Sequence, residues 1–551
     1  MNDALITYHS FIISKNESGM SLESIKKFVV DTFGDDKLIS EREIEQLSWS
    51  VREAPHTPEK DVVNIAQNNA FIEVRRCLSR LHCLKLLQSG PRGFKSFIQS
   101  QDTENDFNPV LSDKQYNTIS QKITSLDQLA IDALHVSTVL SSVPLSPKAR
   151  KNADDVLGEN NYTFDSVEFL ADTFDDIENA KKIYPLVNSL FQAYPKIEEQ
   201  QRLTKYLQSA FCHRQHYRHM LYTEGNENMF RHLLAAVKEK KLDKEAFHFW
   251  VCHWTINITG FRGHLSPKGS LYLTSNTFKA MAALESVLET VFSNPKITPH
   301  ELLSSYLDIR AGFLKLDRFS LPPHHERLLA HIGAMMRLYQ PMEGETLVAG
   351  FYLIPIETRK KLAFSYFNVT DKEEPTPTFA PALFENSIDY RKNSYDQDSI
   401  IQKISKYAYS KSIVVRAEEL KRMLAIADVV VGCLPVYLRT LDEYRLKRQT
   451  KTIDLKQPLS FQAAAAKKDI SELCGKSPIV ELFDVLEYKI PKVDEKGIVS
   501  FENNPTLKPL SEQRVLTPLY QSKSQDEYPG LRQTTQTSIN KPKPSIKIVL
   551  S

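Results

Sequence analysis

Glycine is scarce in this chain, at 17 of 551 residues, which argues against a turn-rich all-β architecture and favours helices. Cysteine is scarcer: six occur, at 77, 83, 212, 252, 433 and 474. None forms a CxxC pair, so neither a zinc ribbon nor a dense disulfide framework is indicated, and a reduced, cytoplasmic environment fits best. An excess of one charge sign is also missing, with Lys+Arg 70 against Asp+Glu 68. No whole-molecule field marks a nucleic-acid or membrane binder, so any basic site must be local. Long apolar runs are lacking too. The longest, Leu424 to Leu441, is broken by Asp428 and Pro435 and is too short and polar to span a bilayer. The first residues carry the acidic Asp3 and no basic stretch before an apolar core, unlike a cleaved signal peptide.

What is present is the ordinary composition of a globular protein, 41% hydrophobic and 25% charged, able to bury cores. At ~150 residues per domain the length suits about three or four units. The expected architecture is mainly α: a multi-domain helical protein with a disordered C-terminal tail. An N-terminal helical domain is expected over 1–150, a central one over 160–370 and a third over 383–490, with a flexible tail over 491–551. The polar stretch 142–160 and the proline-bearing segment 370–383 (Pro375, Pro377, Pro381) serve as boundaries. The segment Leu482 to Tyr488 suits helix or strand equally.

Several elements are readable locally. Val63, Ile65, Phe71, Val74, Leu78, Leu81 and Leu84 recur at helical spacing, with Cys77 and Cys83 as small core residues. Thr298, Pro299, His300 and Glu301 spell a capping box with proline at the first helical position. Pro322 and Pro323 open another helix, backed by Leu328, Ile332, Met335 and Met336. Around 33–43, Ile39 and Glu43 resemble the second half of an EF-hand loop. The first half departs from it, because Lys37 stands where glycine makes the sharp turn, and a capped helical hairpin is the plainer expectation.

Chemistry concentrates between 213 and 331, where eleven of the fifteen histidines fall. No HExxH, GxxxxGK[ST] or GxGxxG occurs, and His213, His216 and His219 cannot all face one metal from a straight helix. No metal site is therefore assigned, and the cofactor stays unknown. A helix apolar on nearly all sides runs from Lys244 to Thr259, and its histidines, His253 among them, suit hydrogen-bonded core positions. It breaks at Gly260 into a loop with Gly263 and Gly269, carrying Arg262, His264, Lys268 and Ser270, that feeds a helix capped by Thr274 or Ser275. Glycines permit close backbone approach and a helix start attracts anions, so this loop is a candidate phosphate or carboxylate site. Its bland alternative is a packed, solvated turn. His324, Arg327 and His331 share one helix face that could complete it. On that hypothesis Arg262, Lys268 and Arg327 hold the anion, Ser270 donates a hydrogen bond, and His253, His264 or His324 acts as acid or base.

Two resemblances bear on function. The Ser/Thr/Gln-rich tail, closing on Ile546, Ile548, Val549 and Leu550, resembles those of effectors exported by type IV secretion systems. This implies secretion without a cleaved signal peptide, delivery into a host cell and action there on a host protein, lipid or nucleotide. Because no catalytic constellation is complete in the sequence, action chiefly by binding a host protein is expected. The segment LPPHHERLL resembles a stretch of the indoleamine-type haem dioxygenases, which would imply a histidine on haem iron. The alternative is a helical enzyme acting on a phosphate-bearing or nucleotide substrate through the 260–270 loop.

Overall fold

The computed structural model describes residues 22–49, 61–103, 108–143, 147–158, 166–211, 217–224, 226–354 and 356–360, several positions between 384 and 434, and 489–493 and 499–503. The protein is mainly helical. It divides into two compact units, Met1–Pro478 and Ile479–Ser551.

In the first unit the helix Lys244–Thr259 lies at the centre. Asp243 caps it, accepting from the Ala246 amide at 2.9 Å, and the start is stabilised by about 1 kcal/mol relative to alanine. Its buried residues run round the whole circumference and include Phe247, Phe249, Trp250, Val251, Ile256 and Ile258. Such a helix needs partners on every side. Ile197–Phe211, Asp61–Gln88 and Gln128–Leu140 supply them. Helices from both sides of the expected boundary at 142–160 thus share one core, because the Asp61–Gln88 helix packs directly on the central one. Cys77 and Cys83 are buried there, and burial pushes both thiols up to about 12, so they remain inert.

The expected starts appear where their caps are. Thr298 and Glu301 exchange both capping-box bonds at the head of Pro299–Leu314, and Pro323–Met335 begins on its proline. Glu43, at the EF-hand-like ligand position, closes a capping box with Ser40 at the head of the helix Glu41–Leu47, which follows the helix Leu22–Phe33. Buried tyrosine hydroxyls tie neighbouring segments: Tyr306 donates to the Leu221 carbonyl at 2.7 Å and Tyr217 to that of Met281 at 3.1 Å.

Within the second unit, Lys489–Val493 pairs antiparallel with Val499–Asn503, placing Pro491 opposite Phe501. Strand therefore follows the segment left open between helix and strand, and occupies the first stretch of the expected tail. The rest of that tail, the 370–383 segment and most of 383–490 lie outside the described residues. Among the described residues, no helix is long and apolar enough to cross a membrane.

Candidate anion site

The glycines after the central helix admit protein rather than ligand. A Cβ on Gly260 would meet Arg80 Cγ at 2.4 Å and the Arg76 carbonyl oxygen at 2.7 Å, and one on Gly263 would meet Ser79 Cβ at 2.4 Å. Gly269, at φ +70°, approaches the Ser96 carbonyl oxygen so closely that a Cβ would stand 2.4 Å away. The loop is pressed against the Asp61–Gln88 helix and the 96–97 backbone, and its small residues serve that contact.

Ser270 belongs to the same packing. Its fully buried hydroxyl donates to the Thr259 carbonyl at 2.8 Å and accepts from the Leu273 amide at 3.0 Å, while its amide donates to Phe97 at 2.7 Å. The expected role as a substrate donor is thus taken by a structural one. Gln101, which nothing in its neighbourhood of the chain signals, clamps the loop by donating to the Ser270 and Leu273 carbonyls at 2.8 and 2.9 Å. The helix Ser275–Ser293 does not present an open start either, since the Ser275 amide donates to the Pro109 carbonyl at 3.0 Å.

His253 sits in the core, its Nδ1 2.9 Å from Ser137 Oγ and its Nε2 3.0 Å from Asn257 Nδ2. Burial, helped by Arg80, lowers its pKa to about 3, so it is a neutral, satisfied group. Lys268 is exposed and stands near His82, whose pKa burial and Lys268 together lower to about 4. His324 is half-buried, its ring 4.5 Å from that of His325. It lies near the start of the helix Pro323–Met335, about 16 Å at ~1.5 Å per residue from the end after which Arg337 reaches the loop. Arg327 donates to His300 Nε2 at 3.2 Å, in a second group of side chains.

What gathers at the loop is a set of arginines on an aromatic pair. Phe261 and Tyr272 lie 5.0 Å apart between ring centres. Around Phe261 stand the guanidinium carbons of Arg218 at 4.6 Å, Arg76 at 5.2 Å and Arg337 at 5.9 Å. Over Tyr272 stand Arg337 at 5.5 Å and Arg262 at 5.8 Å, and Arg337 also lies 4.5 Å from the Tyr222 ring. Ring faces attract cations, so each contact offsets part of the mutual repulsion. Glu73 pairs with Arg76 at 2.8 Å. His264 Nδ1 accepts from Arg76 Nε at 3.2 Å, and burial, then Arg76, brings its pKa down to about 4. Arg80, buried behind, donates to Ser141 and Ser142 at 2.9 and 3.2 Å.

Arg337 reaches this position at a backbone cost. It follows the helix Pro323–Met335 at φ +56°, where glycine is the usual residue, and a side chain there costs roughly 1–2 kcal/mol. Of the expected site residues, the anion holder Arg262 and the acid or base His264 belong to this cluster. Arg76, Arg218 and Arg337 were missed, because each comes from a different segment with an unremarkable local pattern.

Among the described residues, no group of three or more His, Cys, Asp or Glu side chains is placed to hold a metal ion. Residues 224–414 match the model of a family of unknown function (DUF6829). That stretch includes Phe261, Arg262, Tyr272 and Arg337 but not Arg76 or Arg218. No curated protein and no solved structure matches the chain.

Proposed function

We propose that the protein is chiefly a binding protein, and that it takes a phosphate-bearing ligand at the arginine and aromatic cluster around Phe261 and Tyr272. The observation that carries this is the convergence of Arg76, Arg218, Arg262 and Arg337 on one ring pair, with Arg337 in a left-handed backbone conformation. Guanidinium forks match phosphate oxygens bidentately, and the half-buried setting strengthens such bonds. In the enzymatic form of this hypothesis, His264 is a neutral base at pH 7 rather than an acid, given its lowered pKa. His253 and His324 take no part at this cluster.

Calorimetric titration of the full chain with inorganic phosphate tests the reading. Binding that both Arg76→Gln and Arg337→Gln abolish is the expected result; binding unaffected by either overturns it. The host-directed effector rests on the composition of the tail, outside the described residues. A translocation assay comparing the full chain with one lacking residues 521–551 tests delivery, and equal export of both would remove that reading.

A further inference from the structure

We propose that the ligand of the arginine and aromatic cluster is a diphosphate, free or borne on an organic group, and that Arg80 and Arg218 serve its second phosphate. This inference rests on the reading above, which needs only one phosphate, and narrows its ligand class.

The residues lie on two elements. Glu73, Arg76 and Arg80 stand three and four residues apart on the helix Asp61–Gln88, so they share one face. Arg218 comes from the short helix Tyr217–Leu221 and brings its guanidinium carbon to 4.6 Å from the centre of Phe261, the ring that Arg76 approaches at 5.2 Å. Glu73 is engaged by Arg76 at 2.8 Å. Among the described residues, neither Arg80 nor Arg218 has a carboxylate within ion-pair distance. Arg80 donates instead to the neutral hydroxyls of Ser141 and Ser142, at 2.9 and 3.2 Å, and Arg218 rests on the Phe261 ring. Arg80 is 6% exposed, and its Nε has no hydrogen-bond partner.

Charge decides between one phosphate and two. The inner half of the cluster holds two guanidiniums without a counter-charge, Arg80 and Arg218, while Arg262 and Arg337 bring theirs to Tyr272. A buried cation that lacks a counter-charge is unfavourable, and neighbouring cations make it more so. Burial holds the pKa of Arg80 below the usual arginine value, and Arg76 and Arg218 act in the same direction against the opposing pull of Glu73. The ring of Phe261 offsets part of the repulsion but supplies no negative charge.

A phosphate monoester carries roughly −1.5 to −2 charges at neutral pH and presents three acceptor oxygens. Each bidentate guanidinium takes two oxygens. One phosphate therefore satisfies the outer arginines and leaves Arg80 and Arg218 as they are. A second phosphate linked to the first brings both the charge and the oxygens, and Arg76 and Arg80, one helical turn apart, are close enough to share the pair. Phe261 and Tyr272 already carry guanidiniums, so a base gains little by stacking there, and recognition is of the phosphates.

The test is calorimetric titration of the full chain with inorganic pyrophosphate and with orthophosphate, at fixed ionic strength and without divalent metal. Pyrophosphate should bind at least about tenfold more tightly than orthophosphate. Arg80→Gln and Arg218→Gln should each bring the two affinities close together. Circular dichroism establishes that each variant is folded, and the half-buried Arg218 provides the deciding variant if Arg80→Gln does not fold. Equal affinity for both ligands in the unaltered protein would overturn the diphosphate and leave the one-phosphate reading standing. So would a preference that survives in every folded variant, or a folded variant that loses both ligands together. Absence of binding by both ligands in the unaltered protein would remove the underlying reading as well. ADP distinguishes the source: binding tighter than that of pyrophosphate assigns an organic diphosphate, and weaker binding a free one.

Discussion

Gly260 lies directly against Arg76, so that a Cβ on the glycine would stand 2.7 Å from the Arg76 carbonyl oxygen. A main-chain carbonyl inside a helix cannot retreat without breaking its own bonds. Gly260→Ala should therefore destabilise the protein by about 1–3 kcal/mol, the usual range for overpacking. Urea unfolding measures it, and an unchanged midpoint would show that the loop does not press on the helix as described.

Arg337→Gly and Arg337→Ala separate conformation from chemistry. Both remove the guanidinium, and both should lose the phosphate response. Glycine accepts φ +56° without strain, so the glycine variant should be the more stable by about 1 kcal/mol. Equal thermal midpoints for the two would mean that no backbone cost is carried there.

Stability should fall on acidification from neutrality. The pKa of His253 is lowered from 6.5 to about 3 and that of His264 from 6.5 to about 4. Between these limits the unfolded chain binds protons that the folded protein does not. The stabilisation is complete above pH 6.5 and is lost as pH falls through the folded pKa values, at up to about 1.4 kcal/mol per pH unit for the buried His253 and less for His264, whose partial exposure lets solvent screen the effect. Chemical denaturation from pH 7.5 to 4.5 checks the slope, which His253→Gln should make shallower.

Glu343 is fully buried, and its Oε1 accepts from Arg422 Nε at 2.8 Å while its Oε2 takes the Tyr339 amide at 2.7 Å. Arg422→Ala leaves that carboxylate without its cation. A loss of about 3 kcal/mol is expected, since removing one partner strands a buried charge. The double variant with Glu343→Gln should recover part of it; a wild-type melting curve for Arg422→Ala would refute the coupling.

The parts legible in the chain were those whose physics is local. Thr298 and Glu301 are three residues apart and bond to each other's backbone, so four letters suffice to mark a helix start. The all-round apolar character of 244–259 announced a central helix, because no other environment tolerates it. The glycines at 260, 263 and 269 marked a close approach without saying to what. Ligand and neighbouring helix make the same demand on a missing Cβ, and the helix occupies the space.

Helical class, the principal caps and the central position of one helix thus follow from spacing and side-chain type, which act within a few residues. The partners of His300 and the gathering of Arg76, Arg218, Arg262 and Arg337 on Phe261 and Tyr272 do not. They join positions as far apart as 76 and 337, brought together by apolar burial that is indifferent to which polar groups it carries along. Only the packed structure decides which cations meet.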